Sequence, residues 1–156
     1  MPTYAELLEY TPKIFADYRA GEIPVPNAAH VEKWLSQFDA KVREPLLVEL
    51  NHILQKTYLS RQTVEGFLLG LVKSPKLAGA DPKAFWAGTS ILQIQKHGGS
   101  QKELNALFEG FLKKELGLSL SQCGKGKPTN FVYIDDGVFT GMTTISDIKE
   151  WLKTAP

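Results

Sequence analysis

Two adjacent carboxylates, Asp135 and Asp136, are the residues whose type and position best suit chemistry. They follow a short, almost wholly apolar run at 131–134, which is typical of a strand buried on both faces of a parallel sheet. Ligands of open α/β sheets bind beyond the carboxyl ends of such strands. Ionised carboxylates only accept hydrogen bonds, so this pair is suited to sugar hydroxyls or to hydrated Mg²⁺.

The segment after the acidic pair combines glycines and threonines in a way that suits phosphate. Gly137 and Gly141 allow positive φ angles, so the backbone can curl around an anion. Thr140, Thr143 and Thr144 add hydroxyl donors beside the N–H groups at the start of the next predicted helix. Carboxylates for hydroxyls and amides for phosphate together predict one ligand, a phosphorylated sugar.

A second loop follows the alternating apolar and polar run at 90–95, which is predicted as a strand. Gly98 and Gly99 allow close approach of the backbone to an anion, and a helix is predicted to follow. The same glycines with Ser100 are also an ordinary turn with a serine cap. The order of the two loops, one crossover apart, favours the anion-binding interpretation.

The segment 131–141 resembles the signature loop of type I phosphoribosyltransferases, with its apolar run, two acids, short spacer and Thr-Gly. The resemblance implies binding of phosphoribosyl pyrophosphate with Mg²⁺, and places Asp135 and Asp136 on the ribose hydroxyls. It assigns the 5′-phosphate to Gly137, Val138, Phe139, Thr140, Gly141, Met142, Thr143 and Thr144. Gly137 and Phe139 depart from the usual form, which has an aliphatic and a small residue there.

The loop after the first predicted strand is similar to the family's pyrophosphate loop. The resemblance assigns the pyrophosphate to Lys96, His97, Gly98, Gly99 and Ser100. More specifically, 34–58 and 95–101 resemble the phosphoribosyltransferase-like proteins of bacterial antiphage conflict systems, which implies a role in nucleotide metabolism or antiviral defence. No residue is assigned as catalytic or as a direct metal ligand, since phosphoribosyl transfer relies on positioning and on Mg²⁺.

The elements that must position these loops fall into two parts. Residues 1–84 are predicted as an α-helical module, and 85–156 as the first half of a phosphoribosyltransferase-like α/β domain with a partial, mainly parallel sheet and flanking helices. Pro12 predicts a break between two short helices, and Pro45 the start of another. The helices of 45–72 have the length of a helix-turn-helix, but the second is mostly apolar, which favours packing or partner binding over DNA.

Two predicted strands are too few for an independent sheet, because their edges stay unpaired. Three explanations remain open: the chain is a fragment, a partner chain supplies the other strands, or the helical half covers the edge. A fragment is favoured, because Pro156 falls where a third strand would begin. The rival functional hypothesis is a non-enzymatic subunit that binds a partner or senses a nucleotide without turnover.

Composition and charge narrow the range of partners. Eighteen Lys and Arg against seventeen Asp and Glu leave a net charge of +1, so no bulk field recruits nucleic acid or anionic lipid. Apolar runs fall short of the ~20 residues that a membrane-spanning helix needs. The single Cys123 favours a reducing cytoplasm.

Other interpretations of the acidic pair compete with sugar phosphate binding. The acids can be a solvated turn at a strand end, or a Mg²⁺-dependent phosphotransfer site. The phosphotransfer site is less favoured, because no nucleophile or catalytic lysine lies at a recognisable spacing from the two acids in the sequence.

Overall fold

The computed structural model describes residues 2–96, 99–137 and 140–155 of the chain. By their internal contacts these residues divide into two compact units, Met1–Val64 and Glu65–Pro156. The predicted organisation into 1–84 and 85–156 stays a prediction, since compact units need not coincide with the parts that carry function.

The first unit is helical, and its helices begin where polar residues cap them. It contains α1 (Tyr4–Ile14), α2 (Ala28–Leu35) and α3 (Ala40–Thr57), and α4 (Arg61–Lys73) begins at its end. Thr3, Asn27 and Asp39 each accept a hydrogen bond from a backbone N–H in the first turn of the helix that they precede. The core is formed by Leu7, Val31, Leu35 and Leu47.

Two predictions made from prolines are wrong. Pro12 does not separate two helices, because α1 continues through it to Ile14. The third helix begins at Ala40 rather than near Pro45. Asp39 caps that earlier start by accepting a hydrogen bond from the N–H of Lys41 at 2.9 Å.

The second unit is built around buried aromatic residues. After α4 it contains α5 (Pro75–Ala78), α6 (Pro82–Ala87), β1 (Thr89–Leu92), α7 (Ser100–Leu116), a 3₁₀ turn (Leu120–Gln122), β2 (Asn130–Tyr133) and α8 (Met142–Leu152). Trp86 and Phe108 are fully buried with ring centroids 5.0 Å apart, and Trp86 Nε1 donates to the carbonyl of Val72 at 3.0 Å. Among the helices of the described residues, none combines the length with the hydropathy that a membrane span requires.

The strands β1 and β2 are parallel neighbours, joined by a connection that contains α7. Thr89 pairs with Asn130 at one end of the ladder and Leu92 with Tyr133 at the other. Within the described residues the sheet consists of these two strands. The predicted fold class, α/β with helices first and a partial parallel sheet after them, is confirmed.

The prediction that the second strand is buried on both faces is wrong. Phe131 is 51% exposed, and Val132 and Tyr133 are only partly buried. Burial on both faces requires covering layers and neighbouring strands, whereas β2 has a neighbour on one side in the described sheet. The buried residue of the run is Ile134, one position beyond the strand.

Candidate functional site

The carboxyl ends of β1 and β2 lie side by side, because the strands are parallel and Leu92 pairs with Tyr133. Residues 93–96 continue from the first strand and 134–137 from the second. Gln95 joins the two segments: its Nε2 donates to Oδ1 of Asp135 at 3.4 Å. The acidic loop (134–137) and the segment that leads into the glycine loop (96–100) therefore meet at the carboxyl ends of the strands.

The two acids of the pair differ in their surroundings. Asp135 is partly buried, and its Oδ1 accepts a hydrogen bond from the backbone N–H of Asp136 at 3.0 Å as well as the one from Gln95. Asp136 and Gly137 are exposed. One carboxylate thus braces the loop, while the other is open to a sugar hydroxyl or a hydrated cation.

The start of α8 follows the acidic loop directly. Gly141 is its N-cap, with a left-handed φ of 75° that favours glycine. Glycine has no side chain to cap a helix, and the hydroxyl of Thr140 accepts from the N–H of Met142 at 3.4 Å instead. Thr143 is exposed and Thr144 is partly buried. The two acids are therefore followed within a few residues by a helix N-terminus, which has a partial positive charge.

The start of α7 holds the other predicted phosphate contacts. Gly99 is the N-cap and Ser100 the first residue of the helix. Lys96 is exposed, with its Nζ 4.0 Å from Oε1 of Glu150 in α8. The remaining predicted contacts, which are His97, Gly98, Val138 and Phe139, lie outside the described residues.

Gln101 supports both loops, and sequence analysis did not assign it to the site. Its side chain is 1% exposed. Its Oε1 accepts from the N–H groups of Ile94 and Gln95 at 2.8 and 2.9 Å, and its Nε2 donates to the carbonyl of Ile134 at 3.3 Å. Glutamine is mostly a surface residue, so nothing in the sequence indicates that this one is buried between two loops.

One turn further along α7, Asn105 supports the end of β1. Its Nδ2 donates to the carbonyl of Leu92 at 3.2 Å, and the residue is 2% exposed. Its Oδ1 is buried without a hydrogen-bond partner among the described residues. Gln101 and Asn105 thus satisfy backbone N–H and C=O groups at the carboxyl ends of the strands. Apolar side chains packed there would leave those groups without hydrogen-bond partners.

Tyr133 joins the end of β2 to α8. Its hydroxyl donates to Oδ2 of Asp147 at 3.1 Å, and Asp147 is 8% exposed. Burial raises the pKa of Tyr133 to about 12, and the hydrogen bond to Asp147 and the charges of Asp135 and Asp147 act in the same direction. The strand that precedes the acidic loop is thereby attached to the helix that follows it.

The acidic loop suits one kind of metal ion better than others. Among the described residues, no group of three or more His, Cys, Asp or Glu is placed to hold a metal. Mg²⁺ usually keeps several waters and binds through one or two carboxylates together with substrate phosphates. Asp135 and Asp136 fit that requirement, and a Mg²⁺ ion there would neutralise phosphate charge.

A cavity of about 480 Å³ in the first unit is chemically different. Its walls include the rings of Phe15, Tyr18, Trp34 and Tyr58. The hydroxyl of Tyr58 is already engaged, since it donates to Oδ1 of Asp17 at 2.6 Å. An aromatic and apolar lining suits neither a phosphate nor Mg²⁺, so this cavity is not the predicted site.

The described segments that follow the two parallel strands thus meet at the strands' carboxyl ends, which is where α/β domains bind their ligands. The family model described as PRTase-CE matches residues 31–156, and the chain belongs to that family. No curated protein and no solved structure matches the chain. The predicted phosphoribosyltransferase-like class is confirmed.

Proposed function

We propose that this protein binds phosphoribosyl pyrophosphate, or a related ribose 5-phosphate, together with Mg²⁺. The ribose hydroxyls are assigned to Asp135 and Asp136, the 5′-phosphate to 137–144 and the pyrophosphate to 96–100. The observation that carries the proposal is the parallel pairing of β1 and β2, which places Gln95 within hydrogen-bond distance of Asp135 at the carboxyl ends of the strands.

The chemistry of the described loop residues supports this assignment. The exposed carboxylate of Asp136 is an acceptor for ribose hydroxyls. The glycine-capped start of α8 offers a helix N-terminus to the 5′-phosphate. Phosphoribosyl transfer depends largely on positioning the ligand and on Mg²⁺, so the proposal assigns ligand binding to this chain and names no catalytic residue.

Calorimetric titration with phosphoribosyl pyrophosphate, with and without Mg²⁺, tests the proposal. Asp136→Asn removes the exposed charge and Gly141→Val forces a branched side chain into a left-handed backbone, so each is expected to abolish binding. Glu49→Gln changes an exposed acid of α3 and is the charge-matched control, and Gly70→Val changes a glycine with open space around it. Retained binding in folded Asp136→Asn, or no Mg²⁺-dependent binding by the unmodified protein, contradicts the proposal.

A second candidate function is partner binding by the exposed edge of the sheet. Phe131 is 51% exposed, and Ile145 and Leu152, seven residues apart on one face of α8, are 47% and 60% exposed. Phe131 contacts Trp151 of α8, with ring centroids 5.1 Å apart, and β2 has a neighbour on one side in the described sheet. Exposed apolar residues and an unpaired strand edge are typical of a surface that another chain covers. A stable complex whose mass, measured by light scattering, is the same with and without ribose 5-phosphate would favour this function.

The biological setting that we propose is antiviral defence, on the resemblance carried by 34–58 and 95–101. Expression in a bacterial host is expected to lower the plating efficiency of phage, and Asp136→Asn is expected to restore it. Equal plating efficiency with and without the protein argues against this setting.

A further inference from the structure

The side chains of Gln95 and Gln101 each accept a hydrogen bond from the other residue's backbone N–H. Gln95 is the less buried of the two. Its Oε1 accepts from the N–H of Gln101 at 3.2 Å and from the hydroxyl of Ser100 at 3.5 Å, and its Nε2 donates to Asp135 at 3.4 Å. Oε1 of Gln101, by contrast, accepts bonds of 2.8 and 2.9 Å. Gln101 is also 1% exposed, whereas Gln95 is only partly buried. Since long hydrogen bonds are weaker and Gln95 has more room to move, Gln101 is the fixed support and Gln95 the replaceable one.

The groups that Gln95 engages are the ones that a charged ligand requires. The N–H of Gln101 and the hydroxyl of Ser100 are donors in the first turn of α7, where the helix dipole favours an anion. Asp135 is one of the two acids assigned to the ribose. A phosphate oxygen would form charge-assisted hydrogen bonds with the same donors, and these are about twice as strong as neutral ones.

We propose that Gln95 is an internal acceptor that occupies the donors of α7 until a phosphate or pyrophosphate group replaces it. When the exchange occurs, Oε1 of Gln95 releases the N–H of Gln101, and Nε2 is no longer held at Asp135. Both loops thus become available together, while the buried side chain of Gln101 keeps their backbones in place. This inference rests on the proposed function, because it assumes that the anion binds at these loops.

Removal of the internal acceptor is expected to tighten anion binding. In Gln95→Ala, inorganic pyrophosphate no longer displaces a hydrogen bond, so its Kd should fall about fivefold, the equivalent of one ordinary intramolecular bond. Gln95→Glu keeps an acceptor of the same length but adds a negative charge beside Asp135, and should weaken pyrophosphate binding by at least about fivefold. A merely structural role would not move the affinity in opposite directions.

Calorimetry with sodium pyrophosphate and Mg²⁺ on the whole chain tests the inference. Gln93→Ala, an exposed glutamine of the same segment, is the matched control. Gln95→Met, which keeps the length of the side chain, replaces the alanine variant if that variant does not fold. Tighter binding in Gln95→Ala with weaker binding in Gln95→Glu supports the inference. Unchanged, weaker or absent binding in a folded variant that lacks the acceptor overturns it.

Ribose 5-phosphate separates the failure of this inference from the failure of the proposed function. It has no pyrophosphate group, so its binding depends on the acidic loop. If the unmodified protein binds ribose 5-phosphate but Gln95→Ala leaves pyrophosphate affinity unchanged, the inference fails and the proposed function stands. If ribose 5-phosphate does not bind while pyrophosphate binds more tightly to Gln95→Ala than to the unmodified protein, the proposed ribose phosphate function fails. The inference that Gln95 competes with an anion then stands.

Discussion

Tyr133 shows how a single hydroxyl contributes to the stability of the candidate site. Its hydrogen bond of 3.1 Å reaches Asp147, which is 8% exposed, so loss of the hydroxyl leaves a buried carboxylate short of a partner. Tyr133→Phe is expected to lower the free energy of unfolding by about 1–3 kcal/mol in urea denaturation at neutral pH. The control is Tyr10→Phe, at a residue that is 58% exposed. Equal stability of the two variants would contradict the assignment.

Tyr133 and Tyr58 also predict how stability changes at alkaline pH. Both have pKa values raised from 10.0 to about 12 in the folded protein, mainly by burial. A tyrosine with a raised folded-state pKa stabilises the fold below its unfolded pKa, and this contribution is lost as pH rises through the folded pKa. The free energy of unfolding should therefore fall between pH about 10 and about 12. Removal of either hydroxyl by substitution with Phe should make the fall shallower, and an unchanged slope would refute the interpretation.

Among the elements, the long connection between α7 and β2 approaches the first strand closely at Gly124. Its φ is +65°, and a Cβ added there would lie 2.7 Å from Cα of Ser90 in β1. Gly124→Ala should therefore combine a left-handed backbone cost of about 1–2 kcal/mol with a clash typical of overpacking, about 1–3 kcal/mol.

Gly126→Ala is the matched control for this prediction. Gly126 has a φ of +88°, but an added Cβ meets nothing within 4 Å. It should show the conformational cost alone, so Gly124→Ala should be the less stable variant in urea denaturation. If the two variants are equally stable, the close approach to Ser90 contributes nothing.

At the scale of the whole molecule, the exposed apolar surface around β2 and α8 predicts association. Phe131→Lys places a charge at the strand edge, which is how natural proteins discourage edge pairing. The variant is expected to keep its fold and to show less self-association than the unmodified protein in concentration-dependent light scattering. Val25→Lys, at a position that is 67% exposed in the first unit, is the control. Equal self-association in the two variants would argue against the edge as an interface.

The sequence predicted the outline of the second unit well, because its signals are local. Asp135, Asp136 and Gly141 follow a short apolar run, and that order is sufficient to indicate a strand, a loop and a helix start. Helix starts were likewise readable at Asn27, because a capping side chain acts on the N–H groups of its own turn. The prediction from Pro45 was wrong because packing also determines the extent of a helix: α3 is capped at Asp39, and Leu47 and Asn51 beyond the proline are buried.

The amino-acid sequence by itself determined the class of the chain and the chemistry of its loops, since the order of acids, glycines and threonines is a property of neighbouring residues. Only the tertiary structure decided which residues hold the loops together. Gln95, Gln101 and Asp135 are separated along the chain and meet because two strands pair in parallel. Likewise, the exposure of Phe131 depends on which elements cover β2. The residue type alone does not determine this, because apolar residues also occur on protein surfaces.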